Sequence, residues 1–445
     1  MSIRIPLNQL SEGQRNIILK QLCFEKKANT MFNAAAQHVY PYEIVDEGND
    51  VFAIYLPMYW AMKFISIAKN YLPSRKDFKE NSTKFTGSLR PLQEEVQKSA
   101  VELLNRQKAC IISLYTGAGK TITSIYISTK IKLPTLILVH RLVLMDQWKE
   151  SIERVCENPK IQIVKTSSML DKDADYYLMN ISNVKKKSRE FYKGIGLLIV
   201  DEMHVTGTEN LSNSFLYVCP RYCIGLSATP YRPDGMDELL FSFFGEKKIH
   251  KQLNRKHIAY KVKSDFTPEQ RMMRNGKVEW NSVIESQTTS PERNEIIINI
   301  IKTFHDRTFL ILSKRVSQVE YLMKRLLEEG MDATSLVGVK KHFNYDSRVL
   351  VATVQKAGVG FDHPKLDTLI IASDVEEYFI QYLGRVFRTQ HTIPMIFDIV
   401  DNNRILLSHY YTRRKIYIQH GGDVKDLKEK HIDPKYIESF KQYLN

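Results

Sequence analysis

Short apolar runs alternate with helical patterns from about residue 90 onward. The stretches Thr121–Lys130 and Leu142–Val155 have helical periodicity. The runs between such helices are rich in Ile, Leu and Val without two-residue alternation, as expected of parallel strands covered on both faces. These runs are Ala109–Leu114, Thr135–Val139, Ile161–Val164, Leu197–Val200 and Tyr222–Leu226. The alternation of strand and helix predicts an α/β fold built on a parallel sheet.

A second series of the same kind follows. Its predicted strands and helices are Thr308–Leu312, Ser317–Glu329, Arg348–Ala352, Thr368–Ala372, Glu376–Val386 and Met395–Val400. The region from Tyr231 to about Pro291 is more polar, and we expect a hinge there. Residues 1–80 lack the alternation. We therefore predict three parts: an accessory domain at 1–80, a first α/β domain at 81–250 and a second at 251–445.

Composition narrows the class of protein. The chain of 445 residues is 43% hydrophobic and 26% charged, which fits a soluble globular protein with more than one core. Its net charge of +14 suggests a polyanionic partner such as nucleic acid, because basic surface attracts phosphate backbones whatever their sequence. Charge alone also fits a basic protein without such a partner.

The cysteines and the most apolar stretch point to the interior of a cell. Five scattered cysteines without a CxxC pair favour a reducing compartment, cytoplasmic or nuclear, over a disulfide framework. We interpret Cys219 and Cys223 as buried thiols, since no second pair with metal-ligand spacing is near. Val51–Ala68 contains Pro57 and Lys63, so we predict a packed hairpin or helix and no membrane association.

A candidate phosphate-binding loop lies between the first strand and the first helix. It reads Tyr115-Thr116-Gly117-Ala118-Gly119-Lys120-Thr121. The glycines let backbone N–H groups approach phosphate oxygens, Lys120 would reach the β- and γ-phosphates, and Thr121 would offer its hydroxyl to Mg²⁺. The general P-loop pattern begins with glycine, and that position here is Leu114. The match is therefore to the shortened core of the pattern.

Two acids end a later apolar strand, in Leu197-Leu198-Ile199-Val200-Asp201-Glu202-Met203-His204. Ligands in open α/β sheets bind at the carboxyl ends of strands. We predict that Asp201 holds Mg²⁺ and that Glu202 orients or deprotonates the attacking water. Favourable acids at a helix N-terminus are the simpler alternative, but they explain one acid better than two.

With these motifs the sequence resembles the DExH branch of superfamily 2 helicases, over roughly residues 87–420. Arg90 and Gln93 lie in a segment similar to the adenine-reading Q-type element. Leu226-Ser227-Ala228-Thr229-Pro230 resembles motif III. The resemblance implies two tandem RecA-like domains, ATP and Mg²⁺ as cofactors, and a role for His204, Ser227 and Thr229 in coupling ATP to the nucleic-acid track.

The resemblance continues in the second series. Thr353 through Asp362 resembles motif V, and it implies that Gly360 and Asp362 contact the nucleotide. Gln381-Tyr382-Leu383-Gly384-Arg385-Val386-Phe387-Arg388 resembles motif VI, with Gln381, Arg385 and Arg388 as catalytic residues. Hydrolysis builds charge on the transferred phosphoryl group, and an arginine from outside the P-loop stabilises it. The two arginines are three residues apart, which predicts that both face one cleft from one helical turn.

Motors of this superfamily grip the phosphate backbone, so nucleic-acid contacts are expected in loops of both domains. We predict Arg141 and Ser182 as contacts in the first domain and Lys314 and Thr353 in the second. Trp148, further along the helix after Arg141, is expected to pack in the core. The run Lys185–Lys187 is either a contact or a solvated surface.

Within the superfamily, the sequence is most similar to double-stranded DNA translocases of the phage UvsW, XPB-type repair and poxvirus transcript-release kinds. The similarity lies in Ser227–Gly235, which extends motif III, and in Phe397–Asn402 with His409 and Arg413. It implies a DNA helicase or translocase acting on duplex or branched DNA. A transcript-release motor, an RNA helicase and a nucleotide-regulated binding protein are alternatives. We expect a monomer, located in the host-cell cytoplasm if the protein is viral, with residues 1–80 binding DNA or a protein partner.

Overall fold

Each of the two strand–helix series forms a parallel sheet of seven strands. The computed structural model describes residues 1–26, 37–206, 212–228, 236–338, 343–358, 363–375, 379–389 and 392–428. The chain divides into two units, Met1–Lys251 and Gln252–Asn445. We call them unit 1 and unit 2. The α/β class and the tandem RecA-like domains predicted from the sequence are confirmed.

Unit 1 begins with a small antiparallel sheet in the order β1-β5-β4. The strands of this N-terminal region are β1 (Ser2–Pro6), β2 (Phe24–Lys26), β3 (Gln37–Val39), β4 (Glu43–Asp46), β5 (Phe52–Pro57) and β6 (Lys84–Phe85). Its α-helices are Glu12–Gln21 and Met58–Phe64, and its 3-10 helices are Leu7–Gln9, Ser66–Tyr71 and Arg75–Asp77. The apolar stretch Val51–Ala68 is therefore a packed strand and helix. No helix among the described residues is long and apolar enough to cross a membrane.

The large sheet of unit 1 has the order β10-β11-β8-β12-β13-β7-β14. Its strands, with the short β9 that pairs with β6, are β7 (Ala109–Leu114), β8 (Thr135–Val139), β9 (Cys156–Glu157), β10 (Ile161–Val164), β11 (Tyr176–Asn180), β12 (Leu197–Val200), β13 (Tyr222–Ser227) and β14 (Lys248–Lys251). The α-helices are Pro91–Gln107, Lys120–Ile131, Leu142–Val155, Met203–Thr206 and Asp237–Phe244; the 3-10 helices are Ile181–Lys186, Arg189–Tyr192 and Asn213–Tyr217. Every residue of β7, β8, β12 and β13 is buried, which explains their unbroken apolar runs.

The sheet of unit 2 has the order β17-β18-β16-β19-β20-β15-β21. Its strands are β15 (His257–Lys263), β16 (Phe309–Ser313), β17 (Ala333–Leu336), β18 (Val349–Thr353), β19 (Thr368–Ile371), β20 (Met395–Val400) and β21 (Gly422–Lys428). Its helices are Trp280–Thr289, Pro291–Thr303, Val316–Glu328, Val354–Ala357, Phe379–Val386 and Arg404–Gln419. The strands β16, β18, β19 and β20 are buried along their whole length.

The N-terminal region packs tightly on the first α/β domain. The backbone N–H of Ser2 donates to the carbonyl of Val218 at 2.9 Å, and its hydroxyl donates to the carbonyl of Leu216 at 2.9 Å. Arg189 stacks its guanidinium over the rings of Tyr55 and Tyr217. One continuous apolar core runs through both parts. The boundary at residue 80 stays a prediction.

Candidate functional site

The phosphate-binding loop occupies the turn between β7 and the helix Lys120–Ile131, as predicted. Gly117 and Gly119 have φ angles of 86° and 90°, in the left-handed region that favours glycine. The Lys120 ammonium donates to the carbonyl of Leu114 at 2.9 Å, so its charge lies at the start of the loop. The backbone N–H groups that begin the helix favour an anion at this point.

Arg90 and Gln93 contact this loop from the start of the helix Pro91–Gln107. Arg90 Nη2 donates to the carbonyl of Gly117 at 3.0 Å, and Gln93 Nε2 donates to that of Gly119 at 3.4 Å. The Gln93 side chain also accepts the backbone N–H of Arg90 at 2.7 Å. A Cβ atom on Gly119 would collide with the Gln93 amide and lie 2.7 Å from Arg90 Nη2. Gln93, the predicted adenine reader, and Arg90 therefore border the phosphate loop directly.

Asp201 and Glu202 follow β12. Burial raises the pKa of Asp201 to about 6, and the neighbouring Glu202 carboxylate adds to the shift, while Lys120 opposes it. Asp201 Oδ1 accepts the backbone N–H of Glu202 at 3.0 Å. Glu202 has a φ angle of 46°, a left-handed conformation that is uncommon for a residue with a side chain. Two adjacent acids in this environment favour a bound cation.

Trp148 is buried, as predicted, with 2% of its surface exposed. The sequence did not predict its second contact, in which Trp148 Nε1 donates to Asp201 Oδ2 at 2.9 Å. The order of strands in the sheet explains this contact. Trp148 lies on the helix that follows β8, and β8 pairs with β12, which ends at the acid pair. The helix is thus close enough to reach the carboxylate.

His204 connects the acid pair to motif III. Its Nδ1 lies 2.7 Å from Ser227 Oγ and 3.4 Å from Glu202 Oε2, and the residue is 1% exposed. Because Ser227 ends β13 and Glu202 follows β12, the imidazole joins the ends of two neighbouring strands. Thr229, the other predicted coupling residue of motif III, lies outside the described residues.

The side chains of unit 1 fit a nucleotide with Mg²⁺. The phosphate-binding loop leaves no room for a Cβ atom at Gly119, and the Lys120 ammonium lies at the start of this loop. Carboxylate and hydroxyl oxygens are the ligands that Mg²⁺ takes, and Asp201 and Thr121 carry them. Bound ATP would supply the phosphoryl group that is transferred. Cys219 and Cys223 are free thiols, and the described residues hold no cluster of three or more His, Cys, Asp or Glu placed for a metal.

Motif VI lies at the end of the helix Phe379–Val386 in unit 2. Arg385 is buried on this helix and Gln381 is half-buried. Arg388 lies two residues beyond the end of the helix, so the helix itself does not fix its backbone, and that both arginines face one cleft stays a prediction. The segment is held instead by Arg255, whose guanidinium donates to the carbonyls of Phe387, Thr389 and Thr392. A residue distant in sequence thus fixes the backbone around Arg388.

The predicted phosphate-backbone contacts follow neighbouring strands in each unit. Arg141 follows β8 and Ser182 follows β11, which pair with each other in parallel. The N–H and hydroxyl of Ser182 both donate to Asn180 Oδ1, at 2.9 and 2.6 Å. Both residues therefore lie beyond the carboxyl ends of neighbouring strands, and that they contact a nucleic-acid backbone stays a prediction.

The same arrangement recurs in unit 2. Lys314 follows β16 and Thr353 ends β18, and these two strands pair in parallel. The backbone N–H of Lys314 donates to Ser373 Oγ at 3.0 Å. Tyr382 donates to the carbonyl of Val354 at 3.1 Å and so links motif VI to motif V. Gly360 and Asp362 lie outside the described residues.

The sequence is similar to that of known helicases. Residues 86–232 match the family "Type III restriction enzyme, res subunit". The chain is 42% identical to Putative helicase 161L of Invertebrate iridescent virus 6 over 82% of this chain and 89% of that protein. The chain belongs to the superfamily 2 helicases. It is also 25% identical to Putative ATP-dependent RNA helicase L396 of Acanthamoeba polyphaga mimivirus, over 88% of this chain and 81% of that protein.

The fold has a counterpart among solved helicases. The structure titled "S. cerevisiae Dbp5 L327V bound to RNA and ADP BeF3" superposes with a TM-score of 0.56 at 13% sequence identity, over 80% of this chain and 98% of that one. At this identity the likeness concerns the fold alone. As a superfamily 2 helicase, the protein is an ATP-hydrolysing enzyme, as the sequence predicted.

Unit 2 contains a buried network of charged side chains around Arg413. Arg413 donates to both oxygens of Asp398 at 2.8 Å and to Asp374 Oδ1 at 2.9 Å. His409 Nδ1 lies 2.8 Å from Asp374 Oδ2, and Tyr417 donates to Asp398 at 2.8 Å. His409 and Arg413 are two of the residues on which the similarity to double-stranded DNA translocases rests. In the structure they hold β20 and the segment after β19 together.

Proposed function

We propose that the protein is an ATP-dependent DNA helicase or double-stranded DNA translocase that remodels forks or branched DNA in replication, recombination or repair. The proposal is carried by one observation: the same chain contains the phosphate-binding loop, the pair of acids at Asp201 and Glu202, and the predicted phosphate-backbone contacts at the ends of strands. The net charge of this chain is +14. The choice of DNA rests on the sequence similarity in Ser227–Gly235 and around His409 and Arg413.

We assign the roles in hydrolysis as follows. Lys120 neutralises the phosphates, Thr121 and Asp201 hold Mg²⁺, and Glu202 orients the attacking water. Further nucleotide contacts come from Arg90, Gln93, Thr116, Gly117, Ala118, Gly119, Gly360 and Asp362. Gln381, Arg385 and Arg388 stabilise the charge that develops on the transferred group. His204 reports the state of Glu202 to Ser227 and Thr229.

RNA is the alternative track, because the mimivirus relative is named an RNA helicase. The deciding experiment measures ATPase activity against duplex DNA, single-stranded DNA, branched DNA and RNA of equal phosphate content. We expect the largest stimulation from branched or duplex DNA. A Glu202→Gln variant controls for contaminating ATPases. Stimulation by RNA alone would replace DNA with RNA in the proposal, and lack of stimulation by any nucleic acid would favour a binding protein with an incidental ATPase.

The N-terminal region is proposed to direct the motor to DNA junctions, or else to dock a protein. Tyr40 and Phe52 are 48% and 45% exposed, whereas Tyr55 and Trp60 are 6% and 5% exposed. We assign stacking on unpaired bases to these two exposed rings. We further propose that the protein acts as a monomer in a reducing compartment of the cell, the host-cell cytoplasm for a viral protein.

A further inference from the structure

Trp148 and Arg141 share one rigid element, the helix Leu142–Val155. Arg141 is its N-cap residue and is exposed, with φ −136° and ψ 143°. Trp148 follows seven residues later, about two helical turns. Arg141 is exposed and Trp148 is buried, so this element extends from the surface into the interior. A displacement of the helix at Arg141 moves Trp148 with it.

The Asp201 carboxylate is held by two hydrogen bonds. Oδ2 accepts the Trp148 indole N–H at 2.9 Å, and Oδ1 accepts the backbone N–H of Glu202 at 3.0 Å. An indole nitrogen is a donor only, so this contact has a fixed direction. Groups that hydrogen-bond a metal-binding carboxylate orient it and tune its affinity for the metal.

The hydrogen bond between Trp148 and Asp201 does more than give the buried indole N–H an acceptor. Trp280 in unit 2 is half-buried and packs against His409, with ring centroids 5.4 Å apart. Its Nε1 is buried and has no hydrogen-bond partner among the described residues. This fold thus tolerates a buried indole nitrogen without an acceptor. Burial alone therefore does not account for the placement of Trp148 against Asp201.

We propose that Trp148 is a positioning residue that sets the orientation of Asp201 and couples it, through the helix Leu142–Val155, to nucleic acid bound at Arg141. The part that concerns nucleic acid rests on the proposed function. The part that concerns Asp201 rests on the hydrogen bond alone. The coupling provides a route by which contact with the track changes Mg²⁺ binding at the ATP site.

The test compares Trp148→Phe with Trp280→Phe in the full chain. The first removes an indole donor bonded to Asp201, and the second removes one without a partner. The probe is Mn²⁺ in the presence of ADP, measured by loss of the free Mn²⁺ EPR signal without nucleic acid. We expect Trp148→Phe to weaken Mn²⁺ binding about ten- to a hundredfold. Its affinity for a fluorescent ATP analogue in EDTA should stay at the parent value, and Trp280→Phe should change neither.

A second variant separates hydrogen bonding from packing. Benzothienylalanine at position 148 keeps the shape of the ring and replaces the N–H with sulfur. We expect it to weaken Mn²⁺ binding as Phe does. If the isostere binds Mn²⁺ like the parent, or if both variants lose nucleotide affinity in EDTA equally, Trp148 only packs and the proposal is overturned.

The coupling is read from the ratio of nucleic-acid-stimulated to basal ATPase. We expect this ratio to fall in Trp148→Phe and to be unchanged in Trp280→Phe. A parent protein that no nucleic acid stimulates would overturn the proposed function and the coupling together, while the Mn²⁺ measurement would still decide whether Trp148 positions Asp201. A normal ratio with weakened Mn²⁺ binding would overturn the coupling alone.

Discussion

Replacing Arg413 by Met should destabilise unit 2 strongly. Arg413 is 3% exposed, and the Asp374 and Asp398 side chains it neutralises are 0% and 1% exposed. Methionine fills a similar volume but leaves two buried carboxylates without their shared cation. Breaking a buried ion pair by removing one partner costs about 3–5 kcal/mol. Tyr417 and His409 each keep one hydrogen bond to the network, so we expect the lower end of that range.

Arg325→Met is the matched control. Arg325 makes ion pairs with Glu295, Glu328 and Glu329, at 2.7, 3.0 and 3.2 Å, and all four side chains are partly exposed. Water and salt screen such pairs, and the side chains lose entropy in forming them. The control should therefore change the stability of unit 2 far less than Arg413→Met does.

Urea-dependent hydrogen exchange resolves the two units, because peptides from β20 report unit 2 and peptides from β12 report unit 1. Arg413→Met should lower the opening free energy of β20 and leave that of β12 unchanged. A loss below about 1 kcal/mol, or equal losses in the two variants, would refute the reasoning that burial decides the contribution.

The same network predicts a pH dependence. Burial raises the pKa of Asp374, but the hydrogen bond with His409 and the Arg413 charge outweigh it and hold the pKa below its usual value. A depressed folded pKa contributes stability above the unfolded pKa of about 3.9, and this is lost as pH falls through the folded value. The parent should lose unit 2 stability in that acid range, and Arg413→Met should lose less of it.

Further expectations concern catalysis and the track. Glu202→Gln should bind ATP but not turn it over, and hydrolysis at the parent rate would disprove the assignment. Arg388→Ala should reduce kcat far more than nucleotide affinity, because its contact is made chiefly in the transition state; equal losses would indicate a ground-state contact. For duplex DNA, log affinity should fall linearly with log salt, with a slope of about −0.9 per phosphate neutralised, and a salt-independent affinity would contradict backbone binding. Tyr40→Ala with Phe52→Ala should retain duplex-stimulated ATPase and lose fork remodelling, with Tyr411→Ala, also exposed, as the control; unimpaired remodelling would assign the region another task.

The sequence predicted most of the buried strands but missed the buried β11 (Tyr176–Asn180) and the lysine-containing strands β15 and β21. The predicted bounds of β7, β8, β12 and β20 agree with the structure, because strands buried on both faces have unbroken apolar runs. The bounds of β10 also agree, although it is a mostly half-buried edge strand. By contrast, Gly422–Lys428 reads GDVKDLK and forms the edge strand β21. One side of an edge strand faces away from the sheet, so charged residues are tolerated there and the apolar signal is lost. His257–Lys263 was missed for a related reason, since lysines interrupt its apolar pattern.

The nucleotide site was predictable where its members are local in sequence. Gly117, Gly119 and Lys120 belong to one turn, and the adjacent Asp201 and Glu202 end one strand. The contact between Trp148 and Asp201 joins residues 53 positions apart, and it depends on the order of strands in the sheet. The support of Arg388 by Arg255 spans a still longer separation. Periodicity and motif spacing carry no information about such tertiary contacts.

Two groups of buried acids in this chain differ in how their charge is balanced. In unit 2, Arg293 bonds Asp401 at 2.8 Å with both side chains fully buried, and Asp374 and Asp398 share the guanidinium of Arg413. In unit 1, burial and the adjacent Glu202 raise the pKa of Asp201 to about 6, and Lys120 offsets this only in part. The Asp374 carboxylate is held in its charged form, because His409 and Arg413 keep its pKa below the usual value, whereas the pKa of Asp201 is raised. The direction of the pKa shift therefore distinguishes a structural acid of unit 2 from the acid that we propose binds Mg²⁺.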